Sequence, residues 1–134
     1  MMMLEQTRAA LAYTHVHAVH TSEGEEFRKR YGVMALKLTA LIRSAGLCQA
    51  VHFIASRNKD PYKRLLGDLA AQLKRVNSAI TDEDSLRKRI REAQLGEYVH
   101  LTREALAVAN WYARLAQSEL NVKLTDDTGD EHED

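Results

Sequence analysis

Apolar residues recur at intervals of three and four through most of the chain, and no alternating run of β-branched residues breaks that rhythm. Ala9, Ala12, Tyr13, Val16 and Val19 predict a first helix over about residues 3–20, broken by Thr21-Ser22-Glu23-Gly24. Phe27, Tyr31, Met34, Leu38, Leu41 and Ala45 mark a second, which starts near Glu25, where acids suit the positive end of the helix dipole. Gly46 ends it, since glycine takes the left-handed cap conformation without a Cβ penalty. Residues 47–56 are apolar nearly all round, which predicts a short third helix enclosed by the others. Asp60 is placed to cap a fourth helix with Pro61 at its first position, and Tyr62, Leu65, Leu66, Leu69, Leu73 and Val76 turn inward. Thr81 with Asp84 resembles a capping box ahead of a fifth helix carrying Leu86 and Ile90. Tyr98, Leu101, Ala105, Val108, Tyr112 and Leu115 define a sixth over about residues 96–120. The fold class is therefore all-α: one domain over residues 1–120, a bundle of about six helices with a buried short central helix.

Composition adds little to that picture except in charge. One proline, six glycines and 134 residues suit a few long helices in a single core. The lone Cys48 sits in an apolar run and has no internal disulfide partner, which fits packing in a reducing cytoplasm. No stretch approaches the length of a membrane span, and the first twenty residues do not read as a secretory signal. The formal net charge of zero hides an asymmetry. Residues 121–134 hold six acids (Asp126, Asp127, Asp130, Glu131, Glu133, Asp134) against Lys123, a net −5, so the remaining body carries +5. So polar a tail is expected to be disordered. A mildly basic body can hold an anionic partner by counterion release.

Candidate chemistry is sparse. His15 and His17 point roughly 200° apart on a helix. His17 and His20 could form half of a metal site, with no third ligand nominated. His52 and His100 read as hydrogen-bonded core residues. Glu92, Glu97 and Glu104 read as solvated helix carboxylates with local charge partners. Trp111 reads as core edge, and the Arg87–Arg91 run as ordinary surface. There is no phosphate loop, nucleophile elbow or cysteine pair, so no enzyme activity and no cofactor is expected. Two other functions compete: a helical adaptor that binds only protein, and a small metalloenzyme built on His17 and His20.

Leu41-Ile42-Arg43, followed by Gly46-Leu47-Cys48-Gln49-Ala50 and Phe53, resembles the hairpin of one CRISPR protein family. That family is the small helical subunit of the type III-B RAMP-module (Cmr) effector complex. Arg8-Ala9-Ala10, Arg30-Tyr31 and the stretch from Tyr98 through Thr102-Arg103-Glu104-Ala105-Leu106 to Trp111 and Ala116 fit it in the right order. Thr39-Ala40 stands where the family often has proline, and Arg57 where it usually has lysine.

The resemblance implies a non-catalytic role in antiviral defence. Several copies stack into a minor filament beside other Cmr subunits and the crRNA, lining the channel where target RNA pairs with the guide. Base pairing then reads sequence, and the protein needs only shape and phosphate contacts. Arginine suits phosphate because its planar fork binds two oxygens. The expected RNA-binding cations are Arg43, Arg57, Lys63 and Arg64 around the hairpin and following loop, with Arg30 and Lys37 on the second helix.

Overall fold

The computed structural model describes residues 2–127. They form six helices: α1 (Leu4–Ser22), α2 (Glu25–Ala45), α3 (Leu47–Ser56), α4 (Asp60–Lys74), α5 (Glu83–Glu92) and α6 (Leu95–Glu119). A single 3₁₀ turn follows at Leu124–Asp126. α6 runs about 38 Å at 1.5 Å per residue and is the spine, packing against α1, α2 and α4. α2 lies between α6 and the α3–α4 pair, and α5 closes the far side against α3 and α4. The core is the convergence of their apolar stripes, with Tyr31, Leu38, Leu65, Leu69, Leu101, Val108 and Tyr112 fully enclosed.

Gly46 serves at once as C-cap of α2 and N-cap of α3. Its amide donates to the Ile42 carbonyl at 2.8 Å, and its own carbonyl accepts from Ala50 at 3.0 Å. The φ is positive as expected, but at φ 88° and ψ 158° the residue is extended rather than left-handed helical. That region is essentially closed to residues with a Cβ, so the demand for glycine is stronger than a helical cap makes it. The new direction sends α3 back along α2, and the Tyr98 hydroxyl accepts from the Cys48 amide at 2.9 Å to fix the turn.

Several expectations need correction. α3 is not enclosed all round: Leu47, Ala50, Val51 and Ile54 are buried, whereas Gln49 and Phe53 face outward and Cys48 is only half-buried. A ten-residue helix touching three neighbours on one side still leaves its other side open. Tyr13 and Ala45 fall off the buried stripes and are exposed. Lys59 takes the N-cap position of α4, so Asp60 and Pro61 both lie inside its first turn. For α5 the cap is Asp82: its carboxylate accepts from the Ser85 amide at 2.8 Å, and the Ser85 hydroxyl accepts from the Asp82 amide at 2.9 Å. His100 is exposed, and half-buried His52 lies beside Arg91 rather than in the core.

The chain does not leave the bundle at residue 120. Asn121 takes a positive φ of 55° after α6, and the Val122 amide donates back to the Ala116 carbonyl at 3.2 Å. Val122 is then buried against Gly32 of α2. A Cβ on Gly32 would lie 2.6 Å from Val122 Cγ2, so glycine there makes the seat. The rest of the acidic tail, residues 128–134, lies outside the described residues.

Candidate nucleic-acid interface

The six expected cations separate into two places. Arg43 stands in the last turn of α2, exposed, at the hairpin tip. α3 then retraces about 15 Å at 1.5 Å per residue, which carries Arg57 and the following loop away from that tip. Along α2, Arg30 lies about 20 Å from Arg43 by the same rise. Its neighbours across a shallow cleft are Asn58, Lys59, Asp60 and Pro61 of the α3–α4 loop, with Glu26 and Phe27. Lys63 and Arg64 follow one turn into α4. The loop and the hairpin tip thus sit at opposite ends of α3.

Local surroundings divide the set further. Arg43 and Lys63 are exposed. The Arg30 Nε meets Glu26 at 2.8 Å, Arg64 Nη1 meets Glu23 at 3.3 Å, and Lys37 Nζ meets Asp127 at 2.6 Å. Arg57 is only 8% exposed, its guanidinium 6.0 Å from the centre of the Phe53 ring, so little of it can reach an outside ligand. It is the C-cap residue of α3, where the helix gives way to the α3–α4 loop. Lys59 joins Arg30 in the loop cleft and lies outside the expected set; a lysine in a loop carries no periodic signal of its own.

Two internal polar clusters also escape sequence reasoning. Glu104, read as solvated, is buried between Arg8 and Arg75. Arg8 grips it with two hydrogen bonds of 2.8 Å, and Arg75 Nη2 adds a third of 2.8 Å. Those hydrogen bonds hold the carboxyl down at about 2. Beside it, Tyr31 donates to Asp68 at 2.6 Å, and His15 Nδ1 lies 2.6 Å from the Tyr112 hydroxyl, which Gln72 also approaches. Burial pushes Asp68 up and His15 down from their ordinary values, so both are biased toward neutrality. These groups knit α1, α2, α4 and α6 together at the centre of the bundle. On the outer face of α1, Tyr13 stacks on His17 at 5.5 Å, with His20 6.4 Å beyond. No group of three or more metal-ligating side chains comes together among the described residues. Nor is any described helix long and apolar enough to cross a membrane.

A further exposed feature is an apolar cleft on the hairpin, lined by Leu41, Ala45, Gln49, Ala50, His52 and Phe53. It is built largely from the residues that carry the family resemblance.

Comparison with known proteins bears on that resemblance over nearly the whole chain. The family model described as CRISPR-associated protein (Cas_Cmr5) matches residues 4–119. The CRISPR system Cmr subunit Cmr5 of Thermus thermophilus is 43% identical over 113 residues, covering 84% of this chain and 92% of that protein. The X-ray crystal structure of a CRISPR-associated Cmr5 family protein from the same organism superposes with a TM-score of 0.75 at 42% identity, over 85% of this chain and 97% of the other. The match spans all six helices and the Gly46 turn, and the chain belongs to the Cmr5 family, the small helical subunits of the type III-B CRISPR Cmr effector complex.

Proposed function

We propose that this chain is a non-catalytic small subunit of a type III-B Cmr ribonucleoprotein in antiviral defence. It stacks with further copies of itself in a minor filament, beside other Cmr subunits and the crRNA, and touches the backbone of the guide–target duplex. The observation that carries this reading is the band of cations from Arg30 and Lys59 at the loop cleft to Lys63 and Arg64 on α4, with Arg43 at the hairpin tip. Apart from Lys59 in the loop they project from rigid helices, and the nearby aromatics Phe27 and Tyr62 pack against or into the core, an arrangement suited to phosphate rather than to base stacking. Arg43 and Lys63 meet RNA directly. Arg30, Lys37 and Arg64 do so by exchanging a carboxylate for a phosphate, and Arg57 supports the loop from beneath.

The apolar hairpin cleft favours a second reading, a helical adaptor that binds only neighbouring proteins. Charge reversal separates the two. Arg43→Glu/Lys63→Glu, expressed in cells with the effector complex and recovered by affinity tag, is expected to assemble with its partners but to lose target RNA. Recovery of the same RNA in the same amount would leave the adaptor standing and remove the RNA contact.

A further inference from the structure

The C-terminal segment lies over the same helix that the RNA reading uses. Val122 is buried on Gly32, and Val33, one position on, is buried too although both valines stand outside the main core cluster. Arg28 and Lys29 of α2 line one cavity with Leu120, Asn121, Val122 and Asp126 of the segment, Glu25 completing it. Farther along α2, Asp127 reaches Lys37 at 2.6 Å, with both side chains only about a quarter exposed at 25% and 28%. The crossing is short and structured: Asp126 and Asp127 close a 3₁₀ turn through the Lys123 and Leu124 carbonyls, and Asp126 Oδ2 accepts from the Lys123 amide. By sequence, Asp130, Glu131, Glu133 and Asp134 follow directly.

An apolar anchor followed by carboxylates across a basic helix is what a phosphate competitor needs. We infer that residues 122–127 form an anionic strap that covers the basic face of α2 and is displaced when RNA phosphates take its place. The inference rests on the RNA-binding reading above and adds regulation to it. Being tethered, the strap competes as an intramolecular ligand, at an effective concentration of order millimolar for a short link. A strap closed about nine-tenths of the time lowers the apparent affinity for RNA about tenfold. Its release also couples RNA occupancy to the exposure of Gly32 and Val33.

The test uses the full chain, a fluorescein-labelled single-stranded RNA of about 20 nucleotides, and low salt so that phosphate contacts are strong. Asp127→Asn removes the charge of the Lys37 ion pair while keeping the Val122 anchor; Val122→Ser lifts the anchor while keeping every charge. Fluorescence anisotropy is expected to show both variants binding about 3- to 10-fold tighter than the parent chain. Hydrogen exchange at the amides of residues 122, 126 and 127 is expected to accelerate when RNA is added to the parent. Equal affinity for all three chains, with exchange there unchanged by RNA, overturns the strap. In that case Arg43→Glu/Lys63→Glu still weakens binding, and the RNA reading survives. No binding by any chain at low salt, the strap variants included, overturns the strap, and the RNA reading is then decided by the charge-reversal variant in the assembled complex, where the copies act together. Tighter binding by Asp127→Asn alone is enough to sustain the strap should Val122→Ser unfold, because Asp127 takes no part in the core.

Discussion

Glu104 of α6 ties three parts of the interior together. Its two oxygens accept from Arg8 and Arg75, which reach it from α1 and just beyond α4, and Arg75 also holds the Gln72 side chain at 2.8 Å. A buried carboxylate costs several kcal/mol unless its charge is matched, and here the match is a bidentate fork plus a second guanidinium. Glu104→Gln leaves two arginines facing a neutral amide, and a loss of about 2–4 kcal/mol is expected from the denaturant midpoint at neutral pH. The pH dependence has a definite sign. In the unfolded chain this carboxyl titrates near 4.5 and in the folded one at about 2, so the unfolded state binds the extra proton between them. Its contribution, about 3 kcal/mol, is therefore complete above the upper value and lost as pH falls through the lower one. The gap between parent and Glu104→Gln is expected to close over that window; a gap constant from neutral pH to the lower limit would show that the arginines are held by something else. The sequence does not announce this site because its partners stand 96 and 29 positions away. A glutamate four residues from helix neighbours looks the same whether it faces water or a fork of arginines.

At the scale of elements, periodicity places all six helices to within a few residues, because each buries a stripe against at least two others. What periodicity reads poorly is where a short helix sits. α3 has enough apolar residues to be enclosed, yet its outward side carries Phe53 at 42% exposure, because none of the described elements covers the hairpin there. Cap positions read from sequence fall one residue off, since neighbouring Thr81 and Asp82 are both good cap residues and only backbone geometry decides between them. Val122 is illegible for another reason: one valine amid acids forms no pattern, and its seat exists only because Gly32 lacks a side chain. Gly46 is where element geometry is most exposed to test. An alanine there adds a Cβ at 3.4 Å from the Tyr98 hydroxyl, which space alone would tolerate. The backbone at φ 88° would not, and Gly46→Ala is expected to cost about 1–3 kcal/mol. A drop in thermal midpoint with unchanged helical circular dichroism would match a strained hinge between intact α2 and α3. An unchanged midpoint would mean the hairpin relaxes freely.

For the whole molecule, the small net charge is itself informative. A body of +5 balanced by a tail of −5 gives little long-range attraction, so one copy holds few phosphates at physiological salt. Repetition changes that arithmetic. In a filament each additional copy meets its phosphates on an RNA already bound, and weak contacts become intramolecular ones. The salt dependence of RNA binding then counts contacts. Each phosphate contact contributes about 0.7–0.9 to the slope of log affinity against log salt, so removing one cation from every copy lowers the slope by about that amount times the copies engaged. Lys63→Ala is the substitution to use: the side chain is exposed at the start of α4, and its loss should leave the core untouched. In the assembled complex the variant is expected to show a shallower slope by a multiple of this unit, while the isolated chain changes by one unit at most. The ratio of the two reports how many copies face the duplex. An identical slope for parent and variant complexes would place Lys63 away from RNA and shift the contact to Arg43 at the other end of α3.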